Sequence, residues 1–284
     1  FASGKDRRAP VGANKFHTNF KLDAFGQYLA LLNAESPRVI VSEFNPQYPE
    51  QRNDYSFGRD TTNAWRYFQT PTPGAANGSS AIVGIAPEPH FSVSRGVFDA
   101  PFNVLLTTTL AGATIRYTTD GSEPTDSNGL DYAGPLTITQ TTTLRAAAFL
   151  PGYLPSRTRT HSYFFLDQVI VQPVNPPGFP ATLGTRTGVG FPGDLVPADY
   201  EMDQDPLRVD PNDPGSAIDP AKLQRLKDGM RELPIVSVVL NNEDMFGAAG
   251  IYSYPNVNTK GFPDKACSVE MILPDGATAF TAAC

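Results

Sequence analysis

Cysteine and histidine are scarce in this chain, and several chemistries are excluded with them. Cys267 and Cys284 are the two cysteines in 284 residues, too few for a structural zinc site of four Cys or His ligands, and no histidine lies near them. His17, His90 and His161 are far apart, and no His-Glu-x-x-His pair exists to hold a catalytic metal. No Gly-x-Ser-x-Gly elbow raises a nucleophilic serine, and no phosphate loop ends in Gly-Lys-Ser or Gly-Lys-Thr. Charge is sparse as well, at 18% of residues, and the net charge of −7 argues against a general nucleic-acid binder, whose counterion release needs a basic surface. No apolar run approaches the roughly 18 residues of a membrane span; the strongest near the end reaches only from Pro234 to Leu240.

Proline and glycine are abundant instead. There are 27 and 24 of them, close to one residue in five where about one in eight is usual. A long helical bundle needs helix formers without such breaks, and a disordered chain needs fewer apolar residues than the 40% present here, or more net charge. The composition leaves short strands and turns with Pro/Gly-rich connections, and the runs and motifs below resolve this into the expected fold, mainly β: tandem immunoglobulin- or fibronectin-like sandwiches joined by Pro/Gly-rich linkers, with one short helix and a terminal hairpin. Acidity is concentrated in residues 167–232, with 11 acidic and six basic side chains. The chain starts at Phe1 without a basic or apolar leader and stops at Cys284 directly after a strand-like run; both ends read as cuts from a longer protein.

Asp275-Gly276, between two alternating runs, signals a hairpin, because a type I′ turn needs positive φ at both central positions. That register sets Cys267 opposite Cys284. It also gathers Cys267, Val269, Met271 and Leu273 with Phe280 and Ala282 on one face, expected to be the buried one, and turns Ser268, Glu270 and Thr281 the other way. A disulfide between Cys267 and Cys284 in an exported protein is the favoured reading; two buried thiols in a reducing compartment are the alternative.

Residues 1–80 read as β structure, with strand-like runs at 27–32 and 37–44. The order His17-Thr-Asn-Phe-Lys-Leu22, Gly26-Gln-Tyr-Leu-Ala-Leu31, Ser56-Phe-Gly-Arg59 and Thr70-Pro-Thr-Pro-Gly-Ala-Ala-Asn-Gly78 resembles the C-terminal half of bacterial lamin-tail domains. The resemblance implies the later strands of an immunoglobulin-like sandwich, with an edge left open. Trp65, Tyr67 and Phe68 suit a ligand-stacking platform or, at strand spacing, a core; the core reading is preferred.

After a linker at 81–92, short alternating runs at 93–98, 102–107, 113–119, 136–139, 142–149 and 157–164 have the strand density of a complete sandwich. Ile115-Arg-Tyr-Thr-Thr-Asp-Gly-Ser-Glu-Pro-Thr125, with Tyr132-Ala-Gly-Pro-Leu136 and Thr142-Thr-Leu-Arg-Ala-Ala-Ala-Phe149, resembles the sandwich module at the C-terminus of chitobiases and β-hexosaminidases. The match spans 93–166. It implies an accessory module without the glycosidase's carboxylates, so Asp120 and Glu123 are expected to be turn residues rather than an acid/base pair.

Residues 167–217 read as a Pro/Gly-rich acidic linker. Its Gly188-Val-Gly-Phe-Pro-Gly193 matches a dinucleotide fingerprint in letters only, since no strand leads in and no helix follows. Asp199, Glu201, Asp203, Asp205, Asp210 and Asp213 are oxygen ligands that would suit calcium, although a solvated acidic stretch is the preferred reading. Asp219 as N-cap, Pro220 in the first turn and a stripe of Leu223, Leu226, Met230 and Leu233 predict a helix near 220–232. From 218 onward, Leu233-Pro-Ile-Val-Ser-Val-Val-Leu240, Gly250-Ile-Tyr-Ser253 and the Ser268-Val-Glu…Pro274-Asp-Gly hairpin resemble the start of the spore-coat protein H (CotH) family, whose catalytic positions would lie further on.

These readings converge on a non-enzymatic structural, adhesive or presenting segment of a secreted or cell-surface multidomain protein. Its expected partners are proteins or glycans, with no nucleic acid, no membrane span and no cofactor beyond the calcium option. The alternatives are the N-terminal portion of a CotH-like atypical kinase and a glycan-binding accessory module.

Overall fold

Turn residues cut the first 85 residues into pairs of short strands. In the computed structural model, residues 4–9, 17–185, 195–203, 207–210, 212–213, 215–247, 249–252 and 265–283 are described. They form two units, Phe1–Ile85 with Pro151–Leu154, and Ala86–Leu150 with Pro155–Cys284. In the first, β1 (Leu29–Leu32) runs antiparallel to β2 (Ile40–Phe44), with Leu29 opposite Phe44. Next, β3 (Ser56–Arg59) pairs with β4 (Trp65–Phe68), Ser56 opposite Phe68. Asp60 closes their turn, its Oδ1 accepting from Thr62 N at 2.8 Å and Ala64 N at 2.9 Å. A third ladder is parallel and joins β5 (Gly84–Ile85) to Tyr153–Leu154, which is β14 in chain order.

Aromatic side chains hold this unit together. Phe57 stacks on Trp65 with centroids 5.2 Å apart, Phe44 lies 5.0 Å from Trp65, and Tyr67 lies 4.9 Å from Phe57. Tyr48 and Tyr67 are buried, and their hydroxyls donate to Asp23 O and Glu50 O, each at 2.6 Å. Gly26 has φ of +99°, and a Cβ there would lie 2.2 Å from Tyr48 O, so the approach of these two backbones requires glycine. On the β1–β2 ladder, Leu31 and Val41 are each 63% exposed.

The second unit contains the sandwich. Its strands are β6 (His90–Phe91), β7 (Gly96–Val97), β8 (Phe102–Val104), β9 (Leu106–Thr107), β10 (Thr114–Thr118), β11 (Leu130–Asp131), β12 (Leu136–Ile138), β13 (Thr142–Phe149) and β15 (Arg159–Phe164). A five-stranded sheet in the order β11-β10-β13-β15-β7 forms one layer, and the ladders β12–β8 and β6–β9 contribute the other. Alternate residues from both layers, Phe91, Val104, Leu106, Ile115, Ile138, Leu144, Ala146, Tyr163 and Phe165, make one buried cluster. The chain is thus mainly β, with an immunoglobulin-like sandwich where the strand density predicted one.

Beyond the sandwich, α1 (Leu166–Val169) and the ladder of β16 (Thr182–Thr185) with β17 (Leu195–Pro197) occupy part of the segment read as a connection. The helix α2 (Pro220–Arg231) begins as its sequence directs, with Asp219 Oδ1 accepting from Ala221 N at 2.8 Å and Pro220 in the first turn. Leu223, Leu226 and Met230 are half-buried. Leu233, expected on the same stripe, is 64% exposed, because the helix ends at Arg231 and Leu233 falls in the turn before the next strand. That strand is β18 (Ile235–Val239); after the short α3 (Asn242–Phe246), β19 (Ser268–Ile272) and β20 (Thr278–Ala283) complete a three-stranded sheet in the order β18-β19-β20.

The hairpin joining β19 to β20 keeps the expected pairing through a different turn. Ser268 faces Ala283, Val269 faces Ala282, Glu270 faces Thr281 and Met271 faces Phe280, as the type I′ reading required. Yet Gly276 N donates to Leu273 O at 2.9 Å and Gly276 has φ of +77°, while Asp275 is not at positive φ. The turn is therefore Pro274-Asp275 followed by a left-handed glycine. Proline fixes φ at its own position near −65°, which suits this turn's first central residue. The one-residue offset is cancelled where Met271 faces Phe280 but Ile272 faces Thr278.

Candidate functional site

The densest polar constellation lies against β15, a strand buried on both faces. His161 and Tyr163 point to the sandwich core: the His161 ring stacks on Phe91 with centroids 4.2 Å apart, and Tyr163 belongs to the buried cluster. Thr160 and Ser162, on the opposite face by the period of two, meet β18 and β19. Thr160 Oγ1 donates to Ser268 Oγ at 2.9 Å, Ser162 Oγ donates to Glu270 Oε2 at 2.6 Å, and Ser237 Oγ lies 2.7 Å from Ser162 Oγ. Arg95, from the loop before β7, places Nη1 2.8 Å from Glu270 Oε1. Glu270 and Ser162 are each 1% exposed.

This arrangement corrects the expected orientation of the terminal hairpin. Ser268, Glu270 and Ile272 form the buried face of β19, whereas Cys267, Val269 and Met271 are only half-buried. On the same outer face, Val236, Val238 and Phe280 are 59%, 56% and 47% exposed. The reason is the partner: the surface offered by β15 is hydroxylic, so the sheet presents its hydroxyls and carboxylate to it and leaves the apolar side outward. Cys284 lies outside the described residues, and with it the pairing of Cys267.

Electrostatics in the cluster follow from burial. Desolvation pushes the Glu270 carboxyl above its ordinary value, with Ser162 and Arg95 pulling the other way. The Arg95 guanidinium is pushed down by burial, against the support of Glu270. Across the strand, burial and then the Arg95 charge lower His161 to about 3, so its ring is neutral. Its Nδ1 lies 3.1 Å from Val93 O and must donate to it, leaving Nε2 without a hydrogen-bond partner among the described residues. Tyr163 Oη donates to the same carbonyl at 3.0 Å. A serine hydroxyl bound to a carboxylate is one half of a nucleophile and base arrangement; here both groups are buried, and the cluster joins β15 to β18 and β19.

Asp120 takes the turn role expected of it, while Glu123 instead reaches across to Arg145 of β13 and Thr158. Asp120 Oδ1 accepts from Ser122 N at 3.0 Å and Ser122 Oγ at 2.6 Å, and these bonds hold its carboxyl below the usual range. Glu123 is gripped by Arg145 and Thr158, and the buried Arg145 also donates to Gly121 O at 2.7 Å. Among the described residues no group of three His, Cys, Asp or Glu side chains is placed to hold a metal.

The other candidates are dispersed. Tyr67 and Phe68 are core residues, as preferred; Trp65 is 38% exposed, but Phe57 stacks on it and the Arg59 guanidinium lies 4.4 Å from its ring centre. Asp210 Oδ1 accepts from Asn212 N, and Asp213 Oδ1 from Gly215 N, so each folds its own loop. Asp205 and the Gly188–Gly193 motif lie outside the described residues. His90 pairs with Thr107 in the β6–β9 ladder, and His17 forms an isolated bridge with Arg7. A cleft of about 280 Å³ is lined by Val97, Met230, Ile235, Ile272 and Pro274, with Arg231 and Asp275 as its charged members. Sequence reasoning missed Arg95, Ser162 and Glu270; the available signal was a strand polar on the face away from the core, Thr160 and Ser162.

The sandwich geometry defines the class of this region as an immunoglobulin-like module. Residues 93–160 match the family model of the chitobiase/beta-hexosaminidase C-terminal domain. No curated protein matches the chain. No helix among the described residues is long and apolar enough to cross a membrane.

Proposed function

We propose that the chain is a non-catalytic structural, adhesive or presenting segment of a secreted or cell-surface multidomain protein, with proteins or glycans as partners. The observation that carries this reading is the engagement of the matched sandwich's carboxylates in its own scaffold, Glu123 by Arg145 and Thr158 and Asp120 by Ser122. The match to an accessory domain supports the same reading. Its finer parts extend the resemblances: residues 1–80 as later strands of a lamin-tail-like sandwich, residues 218–284 as the opening of a CotH-like domain, and a Cys267–Cys284 disulfide that would fit an oxidising compartment.

The test is an assay of the purified full chain against a chromogenic N-acetylglucosaminide, against ATP with magnesium and an acceptor protein, and on a glycan array. No turnover is expected. Phosphoryl transfer would replace the proposal with the kinase reading, glycoside cleavage would overturn it, and array binding without turnover would narrow it to a glycan-binding accessory module. Labelling of both cysteines by an alkylating reagent without reductant would remove the disulfide.

A further inference from the structure

The contacts between the sandwich and the segment that follows it are of an unusual kind. Within the sandwich, nine buried residues between Phe91 and Phe165 form one core cluster. Where β15 meets β18 and β19, the centre of the seam is instead Thr160, Ser162, Ser237, Ser268 and the Arg95–Glu270 pair, flanked by the aliphatic Val239 and Ile272. Two more ion pairs hold α2, Lys227 Nζ to Asp167 Oδ1 of α1 at 2.7 Å, and Arg231 to Asp99 between β7 and β8. Surfaces made of hydroxyls and charges are solvated readily when parted, so little hydrophobic burial holds this seam shut. A buried ion pair acts differently. Losing one partner strands the other charge in the interior, which makes such a pair a strong lock and a poor source of net stability.

We infer that β18–β20 form a detachable layer, latched to the outer face of the sandwich by Arg95 and Glu270, and that the latch opens without unfolding the sandwich. The device needs two elements that are each satisfied apart. The sandwich meets that condition through its closed core, and the sheet through its own ladder, in which β19 pairs along its whole length with both neighbours. Arg95 is the residue that senses the difference: closed, it faces Glu270; open, it faces water.

Hydrogen–deuterium exchange on the full chain reads this opening. In guanidinium below the main transition, amides of β18 and β19 are expected to lose protection at lower concentration than those of β13. Glu270→Gln keeps the shape but leaves Arg95 without a counterion, and should speed exchange in β18 and β19 roughly tenfold or more with β13 unchanged. Adding Arg95→Met should return part of that protection. Loss of protection in β13, β18 and β19 at one denaturant concentration in the unmodified chain would overturn the inference, whether or not the variants fold. Exchange in Glu270→Gln equal to that of the parent, or a double variant no better protected than the single one, would equally show that this pair is not the latch.

Discussion

The sandwich at 86–166 and the paired ladders at 17–85 are made of the same material, short strands separated by turn residues, and they bury it very differently. In the sandwich, five strands share one sheet and a second layer covers it, so Leu144 and Tyr163 are fully enclosed. In the first unit each ladder has two strands, and apolar side chains such as Leu31 and Val41 stay largely open. The lesson concerns the second layer rather than the strand: a two-stranded ladder has no interior of its own and must borrow one from stacked rings. Phe44, Phe57 and Trp65 supply it here.

The comparison can be broken most severely in the sandwich. Leu144→Ala should lower the stability of the second unit by about 3–4 kcal/mol in a guanidinium melt, because the side chain is fully buried and the cavity cannot collapse between two layers. A loss below about 1 kcal/mol would mean that the layers are not close-packed. Next in size is a pH effect. His161 is held neutral with its pKa depressed to about 3, so the unfolded chain binds its proton first; the contribution is present above pH 6.5 and is lost as the pH falls towards 3. Each unit of difference is worth about 1.4 kcal/mol. Glu270 is shifted in the opposite direction, upward by burial against the pull of Ser162 and Arg95, and its charge titrates as part of the Arg95 pair. Stability measured from pH 7 to pH 4 in the parent and in His161→Phe isolates the first effect, and identical acid slopes in the two would show that His161 is not buried neutral.

The smallest expected effect sharpens the contrast from the other side. Leu31→Lys, at a position 63% exposed, should change stability by no more than about 0.5 kcal/mol while reducing self-association in sedimentation at high concentration. A large destabilisation there would mean that the first unit has an interior where the exposed ladder says it has none.

Much of the local structure was legible in the sequence because local rules governed it. Asp219 caps α2, Pro220 opens it, and β10, β13 and β15 fall within the alternating runs that announce them. The terminal hairpin was legible in pairing and illegible in orientation. Alternation says which residues share a face, but which face turns inward depends on the surface it meets, and that surface, Thr160 and Ser162 on β15, lies more than a hundred residues away. The buried charges were illegible for the same reason. Glu270 reads as the solvent side of a strand until Arg95 and Ser162 are placed beside it. Asp120 was readable because a turn is a local object; the partners of Glu123 were not, because Arg145 comes from β13 and Thr158 lies 35 residues on.

The hairpin between β19 and β20 carries two single-residue irregularities, the left-handed Gly276 at its tip and the unmatched position between Thr278 and Phe280. They act as a matched set of parity changes. One alone would swap inside for outside along the rest of β20, and the second restores the phase before Phe280 meets Met271. The hairpin should therefore tolerate a lengthening or shortening of its tip only when a compensating change occurs in the strand. Related sequences that differ by one residue at the turn are expected to differ again, with opposite sign, a few positions later.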